Sequence, residues 1–127
     1  MLENSIKKKI LNFSDLKTWQ EAHALALSIY KASTAFPKSE LFGLTNQIRR
    51  ASVSVGSNIA EGFGRQTQKE KNLFYHHAKG SLLELKSQLF LARDLNYLNK
   101  EVSEEIIKSA NYTHALLEGL IKTSFSR

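Results

Sequence analysis

Apolar residues recur at three- and four-residue spacing along most of this chain, and no stretch alternates with a period of two. That pattern marks helices with one buried face and leaves no place for strands. Ser14-Asp15 can cap a first helix whose face is Leu16, Trp19, His23, Ala26 and Tyr30, and Pro37 stops it. A connecting turn over residues 38–43 leads to a second helix marked by Leu44, Ile48, Ala51, Val55, Ile59 and Gly62. It is about 30 Å long at 1.5 Å per residue, and Gly62 and Gly64 bring it to an end. Thr67-Gln-Lys-Glu70 has the form of a capping box, in which a side-chain oxygen and a carboxylate each satisfy a free backbone donor at a helix start. The third helix runs from there to about Leu95 with Phe74, Ala78, Ser81, Leu85, Leu89 and Ala92 on its face. Asn96-Tyr-Leu-Asn99 provides a break, and Val102, Ile106, Ala110, Thr113, Leu117 and Leu120 mark a fourth helix. Short connections place neighbouring helices antiparallel, so the predicted fold is all-α, an antiparallel up-down-up-down four-helix bundle. Residues 13–127 form this single domain, and residues 1–12 read as a mobile basic arm.

A second line runs along the second helix at alternating four and three spacing: Gln47, Ala51, Ser54, Asn58, Glu61 and Arg65. It is small or polar, and such residues let helix backbones approach closely and exchange hydrogen bonds. The third helix offers a matching line in His77, Ser81, Glu84 and Gln88, with Gly80 beside it as a helix-interior residue that ordinarily has a packing reason. The expectation is a polar seam, inside or between bundles, that fixes register because each buried polar group must find its partner. The competing reading makes Asn58, Glu61, Arg65, His77 and Glu84 an acid–base pocket. No nucleophile elbow, phosphate-binding glycine loop or paired Glu-x-x-His accompanies it.

Composition narrows the function classes. Zero cysteines exclude disulfide frameworks, thiolate metal sites and cysteine nucleophiles, and they suit a reducing compartment. His76 and His77 are adjacent and point about 100° apart on a helix, while His23 and His114 have no partner at ligand spacing, so neither metal nor cofactor is expected. Trp19, Phe63, Phe74 and Tyr75 could stack on bases, but aromatic residues at helical spacing are more often core. No signal peptide and no membrane-spanning run is visible, which places the chain in the cytoplasm. The net charge of +6 favours phosphate-rich partners. Candidate phosphate contacts are Lys7, Lys8, Lys9, Arg49, Arg50, Arg65, Lys69, Lys71 and Lys79, with Arg50 expected near the seam, Arg49 toward solvent and Arg65 able to pair with Glu61.

Five segments together carry a resemblance: Leu16-Lys-Thr-Trp19-Gln-Glu-Ala22, Phe36-Pro-Lys-Ser-Glu40, Gly43-Leu-Thr-Asn-Gln-Ile-Arg-Arg-Ala51, Ser57-Asn-Ile-Ala-Glu-Gly62 and Ala78-Lys-Gly-Ser-Leu-Leu-Glu84. Their order and spacing resemble the bacterial four-helix-bundle proteins encoded by intervening sequences inside 23S ribosomal RNA genes, over about residues 13 to 120. Val55-Gly56 stands where that family commonly has an isoleucine-proline pair, which puts any kink caused by the proline in doubt. The resemblance implies a closed helical bundle, frequently a homopentamer, without known enzymatic activity. It also implies kinship with the accessory variability protein of diversity-generating retroelements, a basic pentameric barrel that binds a reverse transcriptase and nucleic acid. The function expected is thus a non-catalytic homo-oligomeric scaffold associated with RNA or an RNA-bound protein. The alternative is a structural or protein-binding oligomer with no nucleic-acid partner.

Overall fold

A computed structural model describes residues 9–125 as four α-helices with no strand among them. They are α1 (Lys17–Ser33), α2 (Leu44–Phe63), α3 (Gln68–Asp94) and α4 (Lys100–Phe125), with short 3-10 turns over Phe13–Asp15 and Lys38–Glu40. Each helix packs on its two neighbours, α1 closing the circuit against α4, while the diagonal pairs stay apart. This is the expected four-helix bundle.

Local chemistry sets the boundaries. The Ser14 N–H donates to Asn12 Oδ1 at 2.8 Å, and the Asp15 carboxylate receives the N–H groups of Asn12 and Leu11 at 3.2 and 2.9 Å. The first cap therefore lies at Asn12, ahead of the expected Ser14-Asp15, and holds a 3-10 turn after which α1 begins at Lys17. Thr67 Oγ1 accepts the Glu70 N–H at 3.1 Å, the threonine half of the predicted box. The break after α3 centres on Asn96, whose φ of 63° is a left-handed conformation that asparagine tolerates better than most residues. Asn99 Oδ1 then caps α4 by accepting the Val102 N–H at 2.8 Å.

The core face of α2 is the predicted one, with Leu44, Ile48, Ala51, Val55, Ile59 and Gly62 all buried. In α3 the core includes Ala78, Leu85, Leu89 and Ala92, while Tyr75 and Leu82 take the places expected for Phe74 and Ser81. In α4 Ile106, Ala110, Thr113 and Leu117 are buried as expected, joined by Ser103 and Ile121, whereas Val102 is exposed and Leu120 only half-buried. The face expected for α1 is corrected. That helix buries Thr18, Ala22, Leu25, Ile29 and Ser33, and leaves His23 and Tyr30 exposed with Leu16, Trp19 and Ala26 half-buried. The aromatic bulk of Trp19 and Tyr30 draws the apolar average toward one side of the helix, yet the bundle closes over smaller residues on the adjoining side.

Glu40 ties two turns together at one end of the bundle. One carboxylate oxygen accepts the Leu44 N–H at 3.0 Å, capping α2, and the other accepts the Tyr97 hydroxyl at 2.8 Å. These two bonds, the backbone donor first, lower the Glu40 pKa, and the bond to Glu40, followed by burial, raises that of Tyr97.

Candidate interaction surfaces

Ser54 on α2 and Ser81 on α3 face each other with their hydroxyls 2.8 Å apart. Asn58, one turn along α2, donates its amide to Ser54 Oγ at 3.0 Å and to the Ser54 carbonyl at 2.9 Å. The two small polar lines thus meet at a three-residue cluster. Around it, Gln47, Arg50, Ser54, Ser81 and Glu84 line a shallow groove of about 330 Å³. At its far end Gln88 reaches Glu84 with its amide nitrogen at 3.3 Å, while its buried carbonyl oxygen has no hydrogen-bond partner among the described residues. The five residues weighed as an acid–base pocket do not gather. Asn58 bonds Ser54, Glu61 pairs with Arg65 at 2.7 Å, Glu84 serves Gln88, and exposed His77 meets Phe74 edge-on. Among the described residues no three His, Cys, Asp or Glu side chains are grouped to hold a metal.

The candidate phosphate contacts fall on different sides of the bundle, and several are engaged within the chain. Arg49 is not the solvent-facing residue expected. It is half-buried, donates from Nε to Ser33 Oγ at 2.7 Å and lies over the Tyr30 ring at 4.9 Å. Arg65 forms its expected pair with Glu61 and lies over Phe74 at 4.5 Å. Lys71 Nζ donates to the Phe63 carbonyl at 2.7 Å, satisfying an acceptor at the end of α2, and Lys79 pairs with Glu118 at 3.0 Å. Arg50 and Lys69 are exposed and make no ion pair among the described residues, and Lys9 is exposed; Lys7 and Lys8 lie outside the described residues.

Sequence periodicity did not reveal a charged cluster across α3 and α4. Lys86 Nζ lies 2.7 Å from His114 Nδ1, and Glu118 sits 3.6 Å from His114 Nε2 while pairing with Lys79. The lysine donates and the neutral imidazole accepts, so the ring proton resides on Nε2. Burial first, then the neighbouring Lys86 charge, lowers the His114 pKa, with Glu118 opposing. Burial also lowers that of Lys86.

Among the described residues, apolar surface is left uncovered in several places, two of them on α1–α2 and on α3. Between α1 and α2 a groove of about 520 Å³ has Ala22, Ser52, Gly56 and Ala60 at its base and Trp19, Leu27, Tyr30 and Val53 along its sides. Most of the stripe misassigned to the core therefore lines this groove. On the outward side of α3, Leu73, Leu83, Phe90 and Leu91 are each between 43% and 53% exposed, more apolar surface than an isolated helix face of a bundle needs.

Residues 14–119 match the model of the 23S rRNA-intervening sequence protein family. The chain belongs to that family. Among solved structures, the 1.70 Å crystal structure of a protein with unknown function from the S23 ribosomal protein family of Bacteroides thetaiotaomicron resembles it with a TM-score of 0.75 and 24% sequence identity. The match covers 83% of this chain and 98% of that one and speaks to the fold. None of the curated proteins matches the sequence.

In this 23S rRNA-intervening sequence protein, α2 runs as one helix through Val55-Gly56, where a proline would interrupt the hydrogen-bond ladder. Gly56 faces Trp19 without the ring needing a glycine there. A Cβ at this position would stand 3.5 Å from Trp19 Nε1, an ordinary contact. Gly62 is tighter, because a Cβ there would lie 2.7 Å from the Tyr75 ring. The glycine read as a helix terminator is also what admits Tyr75 to the core.

Proposed function

We infer that this protein is a non-catalytic subunit of a homo-oligomeric, pentameric scaffold that works in the cytoplasm and associates with RNA through a basic surface repeated by symmetry. The observation that carries the reading is the outward face of α3. Leu73 and Leu83 flank Gly80 along this face, with Phe90 and Leu91 about 15 Å further on, and a Cβ at Gly80 would meet nothing within 4 Å, so this helix-interior glycine has no packing reason inside its own chain. A second copy against this face supplies one, because glycine lets another backbone approach closely. Among the described residues, no helix is long and apolar enough to cross a membrane.

The RNA arm rests on charge. One copy with +6 attracts RNA weakly at physiological salt, whereas five copies bring about 30 net positive charges onto one particle. Arg50 and Lys69, exposed and unpaired among the described residues, are the contacts best placed to act, and the family's name sets it in the context of ribosomal RNA genes. Light scattering on the eluting protein, followed by RNA binding at several salt concentrations, tests both halves. Leu73→Glu with Leu83→Glu should yield monomers. The logarithm of the binding constant should fall linearly with the logarithm of salt, and Arg50→Gln with Lys69→Gln should flatten that slope by about 1.4, given roughly 0.7 per phosphate contact on single strands. A stable oligomer whose RNA binding ignores salt leaves the structural or protein-binding reading standing. A wild-type monomer removes the scaffold.

A further inference from the structure

Where α3 and α4 pack side by side, two lysines, a histidine and a glutamate stand in one line of contacts. Lys86 on α3 brings its Nζ to 2.7 Å from His114 Nδ1 on α4, Glu118 lies 3.6 Å from the opposite ring nitrogen, and Glu118 pairs with Lys79 at 3.0 Å. His114 and Glu118 are one turn apart on α4, and Lys79 and Lys86 are two turns apart on α3, so helix backbones rather than loops position all four. Lys86 is half-buried, which screens its amine from water on one side and leaves the other open to a small reagent. Burial favours the uncharged amine and lowers the Lys86 pKa, while burial and the Lys86 charge keep the His114 ring neutral and ready to take a proton. An amine, a neutral base in hydrogen-bond contact with it and a carboxylate behind the base are the parts of an activated nucleophile. The assembly and RNA readings use neither Lys86 nor His114.

We propose that Lys86 is a covalent acylation site for small acyl phosphates, with His114 as the base that frees its amine and Glu118 holding the ring. One ammonium proton passes from Lys86 Nζ to His114 Nδ1 and on to solvent, and Glu118 stabilises the imidazolium while it lasts. The freed lone pair attacks the acyl carbon, a C–N bond forms, and the bond from that carbon to the phosphate oxygen breaks. Phosphate leaves with the electron pair and takes the second nitrogen proton, and the third stays as the amide N–H. The donor is an anion because the cluster sets two ammonium groups against one carboxylate. The product amide can still donate to Nδ1, so modification removes one positive charge from the α3–α4 edge without orphaning the ring.

The test is incubation of the full chain with acetyl phosphate near neutral pH, with acetylation of each lysine followed over time by peptide mass spectrometry. Lys86 should react about tenfold faster than exposed Lys38 and Lys108 of the same chain, a smaller gain than the roughly hundredfold or more of a general base in an evolved enzyme. His114→Gln keeps an acceptor for Lys86 but takes up no proton, and it should cut the advantage to about twofold, the part left to burial. Glu118→Gln alters an exposed position, so it serves should the histidine change loosen the edge, and it too should slow Lys86 severalfold. Unchanged rates at Lys38 and Lys108 show in each variant that the fold is intact. Lys86 reacting no faster than Lys108 overturns the proposal, and so does a fast Lys86 that neither substitution slows. N-acetoxysuccinimide, an uncharged donor, should single out Lys86 by a smaller factor than acetyl phosphate does. An equal or larger factor overturns the assignment of an anionic donor.

Discussion

Helix α2 has two flanks, and they are built on opposite principles. Toward α3 it presents Ser54 and Asn58 to Ser81, a polar cluster whose members satisfy one another. Toward α1 it presents Ser52, Gly56 and Ala60 to Trp19 and Tyr30, an apolar surface that the bundle leaves open. Small residues line both flanks, so smallness alone does not say how a flank is used. What differs is the partner. A hydroxyl facing a hydroxyl closes a contact inside the chain, while aromatic rings beside small residues leave a concave apolar wall for something else to cover.

The glycines of α2 give the largest test of that contrast. Gly62→Ala places a methyl 2.7 Å from Tyr75 Cε1 and 3.1 Å from the Lys71 carbonyl, in a part of the core where the buried ring has little room to retreat. Overpacking of this kind should cost about 1–3 kcal/mol in denaturant titrations, with the midpoint shifting and the slope unchanged. Unaltered stability would mean that Tyr75 moves freely and that the α2–α3 contact is looser than its geometry.

Next comes the polar cluster itself. Asn58→Leu removes the amide that Ser54 accepts and should cost about 1 kcal/mol, against less than about 0.5 for an exposed change such as Lys108→Ala. Equal effects would show that the cluster adds nothing to the α2–α3 contact. The cluster holds no titratable group, so its contribution should not vary with pH. The α3–α4 edge should behave differently. His114 has a pKa below the usual histidine value of 6.5 in the folded chain, so below that pH the unfolded chain takes up the proton more readily. Stability from this edge is complete above pH 6.5 and is lost as the pH falls from there through the folded value. His114→Gln, which can still accept from Lys86, should flatten that acid limb in thermal melts at a series of pH values, and Asn58→Leu should not.

These contrasts also show what the sequence could convey. The six α2 positions expected to face the core are all buried, because Leu44, Ile48, Val55 and Ile59 outweigh every other line on that helix, whereas Thr45, Ser52 and Gly56, buried beside them, carry no such signal. Ser54 and Ser81, which do meet, each lie on one of the two small polar lines, but Glu61, Arg65 and His77 from those lines find other neighbours. The rotation of α1 was not legible. Periodicity ranks the sides of a helix by hydrophobicity, and the line through Leu16, Trp19, Ala26 and Tyr30 competes with a buried side on which Thr18 and Ser33 dilute Ala22, Leu25 and Ile29. An apolar side marks what must be covered without saying which surface covers it. Glu40 capping α2 while holding Tyr97, and Lys86 meeting His114, join positions 57 and 28 residues apart and leave no periodic trace. Charge marks a cation as a candidate contact but does not disclose that Arg49 faces Ser33 or that Lys71 caps Phe63.

The smallest expected effect has the opposite sign. At Gly56 a Cβ would stand 3.5 Å from Trp19 Nε1 and 4.0 Å from Ala22 Cβ, contacts that fill space without displacing a neighbour. Alanine also reduces the backbone freedom that a helix-interior glycine loses on folding, so Gly56→Ala should stabilise the chain by about 0.5–1 kcal/mol. One substitution in one helix thus separates the flanks by direction, with loss expected beside Tyr75 and gain beside Trp19. Denaturant midpoints of the two variants, measured together, check it. If Gly56→Ala destabilises as Gly62→Ala does, the α1–α2 flank is as tightly packed as the α2–α3 flank, Trp19 has no room to accept a methyl, and the contrast between the two sides of α2 disappears.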